Sequence, residues 1–333
     1  MKTKIEWTDR SDWNCVRGCT RVSPGCGGPG PHGGCYAEAI AGRFSGGGQP
    51  FYDFATMTPA SGGALWTGKV ELVEERLTLP RKWQKPARIF VNSMYDLFHE
   101  KLPDDAIDRI FAVMAQCPQH TFQVLTKRPA RMLAYFSAHW SKLYDGLPFK
   151  NVWLGTSVEN QETADERIPL LLRTPAAVRF VSAEPLLAPI DFMAIRAPRE
   201  TDDGIGWTFD ALAKGDYYSF KDDRHYGPYR DHAIDWVIAG GESGPRARPM
   251  QPDWARSLRD QCAAANVPFF FKQWGEWAPY KYAPPGRKFV NCLTERRLEK
   301  NQAFETEQLF QVGRRAAGRL LDGVQHDGMP RCA

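Results

Sequence analysis

The sequence predicts an α/β fold: a partial or complete (β/α) TIM-type barrel of about six βα units, with an N-terminal cysteine loop. Three observations predict it. Six short apolar runs recur from residue 88 onward, their starts separated by 33, 30, 27, 57 and 32 residues. About thirty residues is the length of one βα unit with its return helix. The runs are continuous rather than alternating, as the strands of a parallel sheet buried on both faces must be. Each run ends abruptly in polar residues, at the edge where barrels and open α/β sheets both carry ligand chemistry.

Length and composition set the bounds. At 333 residues, with 43% hydrophobic and 25% charged residues, the chain has the makeup of a folded globular protein, which excludes wholesale disorder. No run of 18 or more apolar residues exists, so no membrane partner is expected. The opening MKTKIEWTDRSDW lacks an apolar signal core, which predicts a cytoplasmic protein. A net charge of +4 permits a nucleic-acid partner without requiring one.

Residues 1–87 read as an irregular N-terminal segment. It holds the loop GGPGPHGG (27–34), a helix start at CYAEAIAGRF (35–44) and a helix over GKVELVEERLTLPRKW (68–83), ended near Pro80. The barrel core occupies 88–280, with strands at 88–91, 121–125, 151–155, 178–181, 235–239 and 267–271. Amphipathic helices are expected at DDAIDRIFAVMAQC, PARMLAYFSAHW, about 162–173 and PDWARSLRDQCAAA. The 57-residue interval carries an insertion, 195–233, charged and aromatic without clear periodicity. A C-terminal extension, 281–333, contains one candidate short helix, GRRAAGRLLDG. Periodicity does not give strand order, so a doubly wound open sheet stands as the alternative.

The strand ends place polar groups around one expected mouth. They are Asn92, Ser93 and Asp96; Lys127; Ser157 and Glu159; Glu184; Glu242; then Lys272 and Gln273, with Trp274 behind. Any single one reads equally as a solvated loop residue. Their recurrence across six units suits a polar cofactor with a polar substrate. Gly240-Gly241 before Glu242 is either turn chemistry or a close backbone approach to a ligand, and the ligand contact is favoured. Lys127-Arg128-Pro129 reads alternatively as a phosphate contact.

Four of the eight cysteines, Cys15, Cys19, Cys26 and Cys35, fall within 21 residues. Cys117, Cys262, Cys292 and Cys332 are scattered and read as small buried hydrophobes. In a cytosolic chain such a cluster points to metal or redox chemistry. Structural zinc would use Cys15, Cys19, Cys26 and Cys35 or His32, yet only Cys15-x3-Cys19 has knuckle spacing. An inert Gly-rich loop leaves the four cysteines unexplained. A 4Fe-4S cluster on three thiolates would leave one iron open to an exchangeable ligand, such as the amino and carboxylate end of S-adenosylmethionine. Spacing admits Cys15, Cys19 and Cys26 as the trio, or Cys19, Cys26 and Cys35; the helix opened by Cys35-Tyr36-Ala37 favours the second.

The blocks IEWTD, WN, GCTRVSPGC, CYAEAIAGRF, VNSMYDLFHE, FQVLTKRP, WLGTSVENQ, FVSAEPLL, IAGGESGPRARPM and FFFKQWGEW run in this order from Ile5 to about Trp277. Together they resemble the phage-borne three-cysteine-motif radical S-adenosylmethionine proteins. The resemblance implies that Cys19, Cys26 and Cys35 hold a 4Fe-4S cluster. Cys26 and Cys35 stand further apart than is usual in that family, and Cys15 takes a position usually held by proline, so it is read as a non-ligand. Also implied are S-adenosylmethionine as cofactor, an electron donor such as flavodoxin, the host cytoplasm, and a modified thymine in phage DNA as substrate.

The implied reaction is a radical isomerisation of a glycine joined through its nitrogen to the thymine methyl carbon. DNA photolesion repair and RNA modification are alternative targets for the same chemistry. A zinc-stabilised, non-catalytic DNA-binding protein is the alternative of another class. Tyr36, Asn92, Ser93, Lys127, Ser157 and Glu184 are expected on the cofactor side; Asp96, Glu159, Glu242, Lys272, Gln273 and Trp274 on the substrate side. Lys127 or Lys272 would hold a carboxylate, and Glu242 or Glu184 an amino group. Trp274, Tyr36 or aromatics of the insertion would stack on an extruded base.

Overall fold

Six strands form one parallel sheet in the computed structural model of the chain: Arg88–Val91, Thr121–Thr126, Val152–Ser157, Val178–Ala183, Trp236–Gly240 and Phe269–Gln273. The structure describes residues 3–27, 34–58, 63–140, 149–196, 207–219, 224–230, 232–244, 246–279, 292–293 and 309–330. Each strand of this sheet lies beside its chain neighbours, and every pairing is parallel. A doubly wound sheet needs a point where strand order reverses. This sheet has none. The architecture is mixed α/β, with a six-strand half-barrel consistent with a partial β/α barrel.

Alternation along the strands separates two cores. Ile89, Val91, Phe122, Val124, Leu154 and Val237 pack with the buried stripe Ile107, Ile110, Phe111 and Met114 of the helix Asp104–Ala115. That spacing is the apolar face of an amphipathic helix, and Asp104 and Asp105 suit the positive end of its dipole. The helix Gln161–Arg173 adds Ile168 and Leu171 to the same core. It begins on a reciprocal cap: Thr163 N donates to Asn160 Oδ1 (2.9 Å), and Asn160 N donates to Thr163 Oγ1 (3.3 Å).

The opposite positions, Trp153, Phe180, Trp236, Ile238 and Phe270, form a second cluster around Trp7, with Phe90 and Leu125 against it. Successive strand side chains point to opposite faces, so this cluster fills the concave side of the half-barrel. Trp7 packs 4.6 Å from the Phe90 ring and edge-on to Trp236 at 5.9 Å. Trp7→Ala is expected to cost about 3–5 kcal/mol, read as a lower denaturant midpoint. A loss under about 1 kcal/mol would show that Trp7 is not the plug of this face.

Both sheet edges carry main-chain partners. Phe90 N donates to Arg10 O (2.8 Å) at one edge, and Phe271 N donates to His326 O (3.0 Å) at the other. Such cover blocks strand addition by another chain.

Several sequence expectations need correction. The stretch 68–83 is not one helix. Glu71–Leu72 pairs antiparallel with Val16–Arg17, and only Glu74–Leu77 and Leu79–Lys82 turn helically. Tertiary pairing outweighs the helical pattern there: Val73 N donates to Cys15 O (2.8 Å), and Trp13 Nε1 to Arg76 O (3.0 Å). The helix within GRRAAGRLLDG shrinks to Arg314–Ala317. The insertion forms a four-stranded antiparallel sheet of Ile195–Arg196, Trp207–Phe209, Gly215–Ser219 and Arg224–Arg230. Among the described residues, no helix is long and apolar enough to cross a membrane.

Candidate functional site

The concave face changes character towards the carboxyl ends of the strands. Aromatic residues give way to Gly155, Ser182 and Gly240, and then to Lys127, Ser157, Glu184 and Lys272 at the same pleat parity. Glu184 and Lys272 form an ion pair (2.9 Å), and Ser182 Oγ donates to Glu184 Oε2 (3.0 Å). Gly240 makes room for that carboxylate, since a Cβ there would stand 2.8 Å from Glu184 Oε1. Gly241 is demanded by Trp274, whose carbonyl oxygen would lie 1.9 Å from an added Cβ. The double glycine is thus explained by protein packing. Lys127 is half-buried, and its ammonium forms no ion pair among the described residues.

Other predicted residues are occupied by the protein itself. Asp96 accepts from Thr126 Oγ1 (2.6 Å), Lys127 N (3.0 Å), Phe98 N (3.0 Å) and Arg128 Nη1 (3.1 Å). Asn92 Oδ1 accepts from Cys15 N (2.9 Å) and Val16 N (3.1 Å). Ser93 Oγ donates to Ser11 O (2.9 Å), and Ser93 O accepts from the Tyr36 hydroxyl. Gln273 Nε2 donates to Ser243 Oγ (2.9 Å). Trp274 is buried against Phe271, with Nε1 bonded to Leu320 O (2.9 Å), so its ring offers no face to a base. Ser157 is buried, and its carbonyl accepts from Arg167 Nη1 (2.8 Å).

The two remaining carboxylates reach the cysteine loop. Glu159, wholly buried, accepts from Gly25 N (3.0 Å) and pairs with buried Arg167 (3.1 Å). Glu242 accepts from Gly34 N (3.2 Å) and pairs with Arg248 (2.8 Å), which itself donates to Pro24 O (2.9 Å). Arg128 Nη2 donates to Thr20 O (3.1 Å), while Nε reaches Glu100 (2.9 Å). Arg128 is therefore committed to holding protein. Three strand ends fasten one loop.

The thiols of Cys19, Cys26 and Cys35 act on one another electrostatically. Burial pushes the Cys19 thiol up to about 12; Asp96 adds to the shift and Arg128 opposes it. Burial also raises the Cys35 thiol, against the first N–H groups of the helix Tyr36–Arg43 that it opens. Cys15 lies apart. It is fully buried, its Sγ is 3.6 Å from Asn92 Oδ1, and burial lifts it to about 12, with Arg76 opposing the shift. Tyr36 joins the trio from the helix start; its ring is half exposed, and Cys35 and Glu184 both act on its phenol.

Three thiols carried by one loop are the type of donor set that an iron–sulfur cluster with one open iron would use. Cys26 and Cys35 act electrostatically on Cys19, and Cys26 on Cys35, while Cys15 takes no part, and two polar groups beside the loop, Ser23 Oγ and Asn92 Nδ2, are buried without a partner among the described residues. Among the described residues, no three His, Cys, Asp or Glu side chains stand where one metal ion could bind them all. His32, the alternative zinc ligand, lies outside the described residues, as do parts of the 195–233 insertion and of the C-terminal extension.

Sequence reasoning missed Arg167, Arg248 and Glu38. Glu38 is buried, pairs with Arg21 and accepts from Trp66 N (2.9 Å). The available signal was an acid on a helix otherwise small and apolar on the same face, Ala37, Ala41 and Gly42. No curated protein and no solved structure matches the chain. The DUF5131 family model, described as a protein of unknown function, matches residues 2–330, so the chain belongs to the DUF5131 family.

Proposed function

We propose that the chain is a radical S-adenosylmethionine enzyme that isomerises a glycyl–thymine adduct in DNA, with a 4Fe-4S cluster held by Cys19, Cys26 and Cys35. One observation carries the reading. Three thiols of a single loop share one electrostatic neighbourhood at the carboxyl edge of a parallel half-barrel, while the fourth is tied away to Asn92. When bound, such a cluster with S-adenosylmethionine supplies a 5′-deoxyadenosyl radical by one-electron cleavage of the S–C5′ bond.

The chain's own residues then orient the substrate and keep water out. Lys127 offers an ammonium, unpaired with any carboxylate among the described residues, to the glycyl carboxylate. Glu184, braced by Lys272 and Ser182, offers acceptor oxygens to the amino group. The half-exposed Tyr36 ring supplies a stacking face for the base. Beneath them the Trp7 cluster makes an apolar floor that excludes solvent from the reacting carbon. The net reaction replaces the linkage through the glycyl nitrogen by one through its α-carbon, with no change in composition.

Anaerobic reconstitution of the full chain with iron and sulfide tests the reading. The expected product is brown and holds about four irons. With a reductant and S-adenosylmethionine it forms 5′-deoxyadenosine. Nucleosides from DNA bearing the adduct should keep their mass and change their retention. A colourless chain with one tightly bound zinc would overturn the proposal in favour of a DNA-binding role, and loss of thymine dimers would replace its substrate.

A further inference from the structure

We infer that the Glu242–Arg248 ion pair is a positioning device that fixes Cys26 and Cys35 in the places a cluster requires. The inference rests on the reading above. Glu242 Oε1 takes the N–H of Gly34 (3.2 Å), the residue before Cys35. Arg248 Nη2 donates to the carbonyl of Pro24 (2.9 Å), two residues before Cys26. One ion pair therefore grips both stems of the segment between the second and third cysteines.

The grip is rigid. Arg248 meets Glu242 through Nε (2.8 Å), Nη2 (2.9 Å) and its own backbone N (2.9 Å), and the Glu242 side chain is only 5% exposed. Among the described residues, neither side chain hydrogen-bonds a thiol. Their effect passes through the backbone of the loop, so both are positioning residues. Eight residues separate Cys26 from Cys35, and pinning the residues on either side of that span lowers the conformational freedom that ligand binding must remove. An exposed pair such as Glu74–Arg109 ties no third element in this way.

The test uses the reconstituted full chain, reading anaerobic iron release to a chelator and the electron paramagnetic resonance spectrum of the reduced cluster. Groups that orient metal ligands commonly change metal affinity by about 10–100-fold when removed. Arg248→Ala is expected to release iron faster by a factor in that range and to show an altered spectrum. Arg248→Lys should recover only part of the loss, because a single ammonium cannot serve Glu242 and Pro24 O together as a planar fork does. Glu242→Gln, which keeps shape and an acceptor, provides a second reading should Arg248→Ala fold poorly. Glu74→Gln should match wild type.

The two failures are distinguishable. A wild-type chain that takes up no iron overturns the proposed function. A wild-type chain that loads, beside an Arg248→Ala or Glu242→Gln chain with unchanged release and spectrum, overturns this inference alone.

Discussion

Cys19→Ala, Cys26→Ala and Cys35→Ala are each expected to reduce reconstituted iron to background, while Cys15→Ala retains the full complement. The argument does not come from acidity, because burial lifts both Cys15 and Cys19 to about 12. It comes from company. Cys19 feels Cys26, Cys35, Asp96 and Arg128, whereas Cys15 faces Asn92 and Arg76. Thiols raised this far are protonated at neutral pH, so metal binding must displace their protons, and loading should quicken as pH rises. Losing one of three thiolates removes a ligand that no nearby cysteine replaces.

Cys15→Ala instead trims a fully buried side chain whose backbone N–H still bonds Asn92, a change of about 1 kcal/mol seen in unfolding and not in iron content. Iron and sulfide analysis of the four variants, with thermal unfolding of each metal-free chain, separates ligand loss from misfolding. Full iron in Cys35→Ala with loss in Cys15→Ala would hand the site to the other trio.

The sheet was legible because its cue is local. Runs such as Val152–Ser157 and Trp236–Gly240 are buried on both faces, so continuous apolar residues announce them without knowledge of a partner. Their ends run past the apolar stretch into Thr126, Thr156 and Ser157, because backbone pairing continues where side-chain hydrophobicity stops. The strand Glu71–Leu72 was illegible since its partner, Val16–Arg17, lies some fifty residues earlier and both are two residues long. In the insertion, pairs such as Tyr217 with Tyr226 and Tyr218 with His225 make strands out of residues that show no periodic pattern in sequence.

At the site, sequence located the polar strand ends but not their work. Glu159 and Glu242 look like free acids until Gly25 and Gly34, 134 and 208 residues away, are seen to donate to them. Asp96 is read as a substrate contact until Arg128, Thr126 and Lys127 N fill its oxygens. Main-chain acceptors and donors carry no signature in residue type. A carboxylate that holds a loop and one that holds a ligand are therefore the same letter in the same place.

Arg167→Ala is expected to destabilise the fold by about 3–5 kcal/mol, among the largest effects of any single change away from the Trp7 cluster. Arg167 and Glu159 are both buried, and Arg167 Nη1 also donates to Ser157 O (2.8 Å). Removing the guanidinium leaves a carboxylate in the interior with Gly25 N–H as its remaining partner among the described residues. Replacing both members with apolar residues, Glu159→Leu with Arg167→Met, removes the stranded charge and should recover most of that loss, since buried pairs exchange for apolar contacts at little net cost.

The double variant separates stability from positioning. Its unfolding midpoint should approach wild type, yet Gly25 N–H has lost its acceptor, and the stem before Cys26 loses one of its ties while keeping those of Arg248 to Pro24 O and Arg128 to Thr20 O. Iron release from the reconstituted double variant should then exceed wild type despite a sound fold. If Arg167→Ala unfolds like wild type, the pair is solvated in solution; if the double variant is stable and holds iron equally well, Glu159 serves only the core.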